Sequence, residues 1–104
     1  MNIDAQNLAV RNNVAANRFE AQLGDELAII DYRRRGPLYV LTHAEVPPAY
    51  RGLGIADRMA YFALETARAE GVQVVPQCPF VRAYIRRHKE YQALVAPSPT
   101  DSSR

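Results

Sequence analysis

The chain has 104 residues, of which 48% are apolar and 23% charged, proportions that suit one small globular domain. Thirteen basic against 11 acidic residues leave a net charge of +2, too weak to argue for a nucleic-acid-binding protein. Cys78 is the sole cysteine, which excludes an internal disulfide and a multi-cysteine metal site, and no run approaches the roughly 20 apolar residues of a membrane-spanning helix.

The opening MNIDAQNLAV lacks a basic stretch before an apolar one, so no secretory leader is expected. With the lone cysteine, this reads as a soluble cytoplasmic protein. The segment Ile3–Val10 is ambiguous and has room for a short edge strand. Arg18–Leu23 alternates, with Phe19, Ala21 and Leu23 on one face, and predicts a strand. Gly24-Asp25 marks a turn, and Leu27–Tyr32 is a second apolar run of strand length. Arg33-Arg34-Arg35-Gly36-Pro37 reads as a polar turn. Leu38–Val46 predicts a third, longer strand that Pro47-Pro48 ends.

The period then changes. Ala56, Met59, Ala60, Ala63, Leu64 and Ala67 recur at helical spacing within Leu53–Glu70, and Gly71 suits the C-terminal cap. Val72–Val75 is a short strand stopped by Pro76. Phe80 to about Tyr91 predicts a second helix, with Pro79 in its first turn. The Pro/Ser/Thr-rich stretch 97–104 reads as a disordered tail, leaving one domain over 8–96. The order gives an α/β fold: a mixed sheet with antiparallel N-terminal strands, a strand–helix–strand crossover and a C-terminal helix.

The most informative stretch is Val46–Ala56, where a strand ends, a tight loop carries Gly52 and Gly54, and a helix begins at once. Amides at a helix start lack intrahelical partners and the helix dipole adds positive potential, so this is a ready pyrophosphate site. Arg51-x-x-Gly54-x-Ala56 resembles the acetyl-CoA signature of the GNAT superfamily of acetyl-CoA-dependent N-acyltransferases. Three further blocks extend the resemblance to a compact subgroup of that superfamily: His43-Ala44-Glu45-Val46-Pro47, Pro76-Gln77-Cys78-Pro79-Phe80-Val81 and His88-Lys89-Glu90-Tyr91. Ala44 departs from the subgroup's threonine and removes a hydroxyl near the site.

The resemblance implies that coenzyme A or acetyl-CoA is held by Val46, Arg51, Gly52, Leu53, Gly54, Ile55, Ala56 and Phe80, with no metal. Pantetheine would lie between the splayed strands Leu38–Val46 and Val72–Val75, with the thioester near His43, Glu45 and Cys78. Acetyl transfer needs a base to free the amine and a donor for the oxyanion. His43 is one candidate base, or a histidine hydrogen-bonded at a strand end. Glu45 is the other, or a solvated rim carboxylate. Cys78 either accepts the acetyl group covalently or packs as a small side chain. Tyr84 either protonates the leaving thiolate or serves as a core aromatic.

Arg82 and Arg86 share a helix face and read as a contact for a coenzyme phosphate or an acidic partner, or as a plain solvated face. Larger GNAT enzymes carry helices between their first strands and a strand pair after the last helix, which build much of the acceptor pocket. Here the acceptor side is expected to be open, so that the acceptor is a protein or other large amine, or a second copy completes the pocket; monomer and homodimer both stand. Two other functions stand beside acetyl transfer: a non-catalytic CoA or acetyl-CoA sensor or adaptor, and, from the arginine clusters alone, a nucleic-acid-binding domain.

Overall fold

The computed structural model describes residues 4–97, which form one five-stranded sheet with two helices. The strands are β1 (Val10–Asn13), β2 (Arg18–Leu23), β3 (Glu26–Arg35), β4 (Leu38–Glu45) and β5 (Gln73–Pro76); the helices are α1 (Ile55–Glu70) and α2 (Pro79–Arg87). Sheet order follows chain order: β1 to β4 form an antiparallel meander, and β5 joins β4 in parallel after the α1 crossover. This is the mixed α/β arrangement the sequence predicts.

Alternation assigns one sheet face to the core. Phe19, Ile30, Tyr32, Tyr39, Leu41 and Val74 project from it and pack with Ile55, Met59, Ala60, Ala63, Leu64 and Ala67 of α1. The three alanines let the helix lie close to the sheet. Val81, Tyr84 and Ile85 of α2 join the same cluster, so both helices cover the same face. Inside it the Phe19 ring lies 5.1 Å from Tyr32 and 5.8 Å from Tyr39, within the range of favourable aromatic pairs.

The opposite, outer face carries no helix among the described residues. Glu20 projects there yet is only 2% exposed. Its carboxylate accepts hydrogen bonds from Arg18 at 2.6 Å, Arg11 at 2.6 and 3.0 Å and Asn13 at 3.0 Å. A buried charge is tolerated only when paired in this way.

Four features differ from the sequence expectation. The edge strand falls on Val10–Asn13 rather than Ile3–Val10, because Asp4 accepts the Gln6 amide and caps a short 3-10 turn over Ala5–Asn7. Arg33–Arg35 belong to β3, pairing with Val40, Tyr39 and Leu38, so the turn shrinks to Gly36-Pro37. Arginine stems extend readily on a strand with one solvated face. Helix α1 begins at Ile55 rather than Leu53, with Gly54 as its N-cap.

Helix α2 stops at Arg87, and Lys89–Leu94 forms a 3-10 segment. An unbroken helix would set Tyr91 about 10 Å beyond Tyr84. The break brings the two rings to 6.2 Å and lets Tyr91 donate to Glu65. The chain then returns to β5, where Val95 bridges Val74. The expected tail beyond Pro97, and Met1–Ile3, lie outside the described residues.

Arg18, then Arg11, hold the Glu20 carboxyl down from its ordinary 4.5 to about 2, against the opposing effect of burial. A carboxyl with a depressed folded-state pKa contributes stability that is fully present above pH 4.5 and lost as the pH falls from there toward 2. Melting temperatures followed by circular dichroism should therefore fall steeply across that window in the unmodified protein. In Glu20→Gln the fall should be shallower, from a neutral-pH stability lower by about 1–2 kcal/mol. Parallel pH profiles would show that this carboxylate is not linked to folding.

Candidate functional site

Two backbone events shape the end of β4. The first is a bulge. Asp31 pairs with His43 but Tyr32 pairs with Leu41, so Thr42 is an extra residue on β4, and its hydroxyl donates to the Asp31 carbonyl at 3.3 Å. An extra residue reverses the faces beyond it. Ala44 therefore turns toward the core, while His43 and Glu45 stand outward, 58% and 60% exposed.

The second event is the end of the β4–β5 pairing. Registered pairs run only from Leu38↔Gln73 to Leu41↔Pro76. Pro76 has no amide proton, and the amides of Gln77 and Cys78 both donate to the Leu41 carbonyl, at 3.0 and 2.9 Å. The chain then turns into α2, and β4 runs on from Thr42 to Glu45 without β5 beside it. The side chain of Arg82 fixes this turn by donating to the carbonyls of Pro76 and Gln77, at 3.3 and 2.8 Å.

Where the strands part there is a groove of about 420 Å³, lined by His43, Ala44, Glu45, Val46, Arg51, Ala56 and Phe80. His43 Nε2 lies 3.4 Å from Glu45 Oε1 across its floor. Arg51 closes the loop below by donating from Nε to the Val46 carbonyl at 3.0 Å.

Gly52 and Gly54 have φ of 81° and 82°, on either side of Leu53. Positive φ at both positions explains the glycines, because a side chain in that conformation is strained. Such alternation turns successive amides to one side and builds an anion-binding concavity. Gly54 caps α1 with no side-chain hydrogen bond, so the first-turn amides have no side-chain acceptor. A Cβ added at Gly52 would meet nothing within 4 Å, so the cradle is open.

Across the start of α1 lies a second cavity of about 580 Å³, lined by Asp4, Ala5 and Gln6 with Leu53, Gly54, Asp57, Arg58, Tyr61 and Tyr84. Here Arg58 Nε is buried without a hydrogen-bond partner. The Arg58 guanidinium sits 5.2 Å from the Tyr61 ring centre, and that ring is 41% exposed. An uncapped helix start beside an orphaned guanidinium nitrogen fits a phosphorylated ligand.

The structure thus brings His43, Glu45, Val46, Arg51, Ala56 and Phe80 to one groove and places Leu53, Gly54 and Tyr84 at the other cavity. Gly52 is exposed at the turn between them, whereas the Ile55 side chain is core and offers only its amide. Cys78 caps α2, is 3% exposed and lines neither cavity. Tyr84 stacks on His88 with ring centres 4.0 Å apart. Burial chiefly, then Asp57 and Glu90, push its hydroxyl pKa up, so it stays a neutral proton donor. Sequence reading missed Asp4–Gln6, Arg58 and Tyr61 as site residues. Tyr61, an aromatic on the polar side of an amphipathic helix, was the available signal.

A glycine-lined helix start beside a parting of parallel strands is the arrangement that the resemblance to the GNAT superfamily implies, and comparison with known proteins gives the family. The sequence model of the GCN5-related N-acetyl-transferase family matches residues 18–94, and the chain belongs to that family. Protein NATD1 of Gallus gallus and of Mus musculus are each 36% identical to it over 62 residues, which cover 59% of this chain and 56% of theirs. Protein NATD1 of Homo sapiens is likewise 36% identical over 62 residues, covering 55% of its length. The match thus spans little more than half of these relatives.

Burial makes the Cys78 thiol a poor target for bulky reagents. Ellman's reagent should react with the native protein at least about 100-fold more slowly than with the unfolded chain. Equal rates would place the thiol at the surface.

Proposed function

We propose that this chain binds acetyl-CoA across the start of α1 and transfers the acetyl group to an amine at the His43–Glu45 end of β4. One observation carries the reading: the open, uncapped amide cradle at Gly52–Ala56 joins a groove holding a histidine–carboxylate pair to a cavity holding an unpartnered arginine nitrogen. Family membership supports it.

In this reading the amides of Gly52 to Ala56 hold the pyrophosphate, while Arg58 and Tyr61 receive the nucleotide end. Val46, Ala56 and Phe80 line the pantetheine side. The bound coenzyme supplies an acetyl group activated as a thioester. Because β4 has no partner on its β5 side beyond Leu41, the amides on that edge are free to donate to the thioester carbonyl oxygen. A carboxylate accepts, so Glu45 keeps the proton of His43 on Nε2 and leaves the Nδ1 lone pair for the incoming amine. Glu45 also steadies the imidazolium that forms, and His43 would return that proton to the sulfur that leaves as the C–S bond breaks and the amide bond forms. Burial of Cys78 favours direct transfer over a cysteinyl intermediate.

A second reading, a CoA sensor without turnover, is favoured by the exposure of the histidine–carboxylate pair, which water can solvate and weaken.

Calorimetric titration with acetyl-CoA and with CoA tests the proposal, and saturable one-to-one binding is expected. In Gly54→Val, with folding checked by its melting curve, affinity should drop at least about tenfold. A folded variant with unchanged affinity would move the cradle elsewhere. His43→Ala should keep acetyl-CoA affinity and lose about 100-fold or more in turnover on an amine. Retained turnover would rule out His43 as the base. Intact mass after incubation with acetyl-CoA should lack the increment of about 42 Da that an acyl-enzyme would carry, and Cys78→Ala should stay active.

A further inference from the structure

The cavity across the start of α1 is bounded on one side by the segment Asp4–Gln6. Asp4 caps the 3-10 turn Ala5–Asn7: its Oδ1 accepts from the Gln6 amide at 3.0 Å and its Oδ2 from the Asn7 side chain at 2.8 Å. The turn lies against the N-cap of α1, with Ala5 Cβ 3.7 Å from where a Cβ on Gly54 would be. A Cβ on Gly52 would meet nothing within 4 Å. The turn therefore covers the Gly54 side of the amide cradle and leaves the Gly52 side bare.

The cavity offers its positive groups to an anion, and a carboxylate is already among them. The start of α1 has no side-chain cap, and Arg58 Nε is buried without a hydrogen-bond partner. Of the two carboxylates that line the cavity, Asp57 is paired with Arg87 at 3.4 Å. Asp4 has no lysine, arginine or histidine partner among the described residues, and its hydrogen bonds go to its own turn. A negative charge near a helix start is favourable, and it lowers the positive potential that a second anion would meet. Asp4 and a bound phosphate thus draw on the same field and repel each other across one cavity.

Little holds the turn in place. Its backbone closes by two hydrogen bonds, from Asn7 to Asp4 at 3.0 Å and from Leu8 to Ala5 at 3.3 Å. None of its residues is buried, and Ala5 and Leu8 are only partly covered where they meet the core. A segment with so few buried contacts opens at low cost.

We propose that Asp4–Asn7 is an autoinhibitory strap. In the free protein the Asp4 carboxylate stands in for the coenzyme's phosphates at the start of α1, and binding of those phosphates drives the turn aside. The proposal rests on the acetyl-CoA-binding reading above and adds a regulation of that same site.

The test is calorimetric titration of wild type, Asp4→Asn and Asp4→Lys with CoA and with inorganic pyrophosphate, at about 50 and about 500 mM salt, with folding checked by melting curves. Asparagine keeps an oxygen for the Gln6 amide and loses the charge. Asp4→Asn should bind CoA about threefold to tenfold tighter than wild type and Asp4→Lys tighter still, and both gains should shrink at the higher salt. In hydrogen exchange followed by NMR, the amides of Asn7 and Leu8 should exchange at least about fivefold faster once CoA saturates the protein. Equal or weaker CoA affinity in the variants, or slower exchange of those two amides in the complex, would overturn the strap and leave the coenzyme reading standing. Pyrophosphate that gains affinity in the variants, while CoA binds none of the three proteins, would uphold the strap and sink the coenzyme reading. Neither anion binding any of the three would sink both.

Discussion

The Leu41 carbonyl accepts two amides, those of Gln77 and Cys78, and the candidate site follows from that small junction. Below it β4 and β5 are an ordinary parallel pair. At it, Pro76 cannot extend the ladder and the chain leaves for α2, with Arg82 holding the departing carbonyls. Above it β4 continues alone on that side. Unpaired strand edges are usually a liability that proteins cover. Here the exposed stretch is only four residues long, it borders a groove, and its free polar groups have chemical use. The bulge at Thr42 acts at the same height and sets which side chains meet that groove. Were Thr42 an ordinary paired residue, the alternation running from buried Leu41 would turn His43 inward.

Much of this architecture was legible in the sequence because its signals are local. Pro47-Pro48 after a β-rich run, two glycines and then a helical period predict a strand, a tight turn and a helix start, and the structure has all three. The positive φ of Gly52 and Gly54 is why those positions read so clearly. The parallel pairing of β4 and β5 followed from the length of the crossover. Arg33–Arg35 misled because charge resembles a turn when only composition is read, whereas on a strand with a solvated face it is compatible with pairing.

Other features had no local signal. Nothing about Thr42 marks it as a bulge, since the register shift is a property of two strands and appears only when β3 is laid beside β4. The break after Arg87 is decided by where Tyr91 finds its partners, 26 residues away at Glu65. The separation of Tyr84 from His43 depends on α2 lying beside α1. The second cavity needs the segment Asp4–Gln6 to fold back over Gly54, with Ala5 Cβ 3.7 Å from where a Cβ on that glycine would be. The resemblance set Cys78 and Tyr84 beside His43; in the structure Tyr84 lines the other cavity and Cys78, though its amide reaches the Leu41 carbonyl, is buried and lines neither.

The one-sided placement of the helices has an architectural consequence. Core packing in this domain is complete on a single face, so the outer face answers to different rules: its buried carboxylate, its arginine stems and its half-covered Leu27 and Ile29 act as a finish rather than a foundation. Additions on that side are cheap in core energy. The connection between β1 and β2, a short turn over Val14–Ala16 with Val14 68% exposed, is a natural place for them. A helical layer inserted there could cover the outer face without repacking α1 or α2. The domain can be seen as an open-backed unit, whose bare side leaves room for elaboration while the junction at Leu41 stays unchanged.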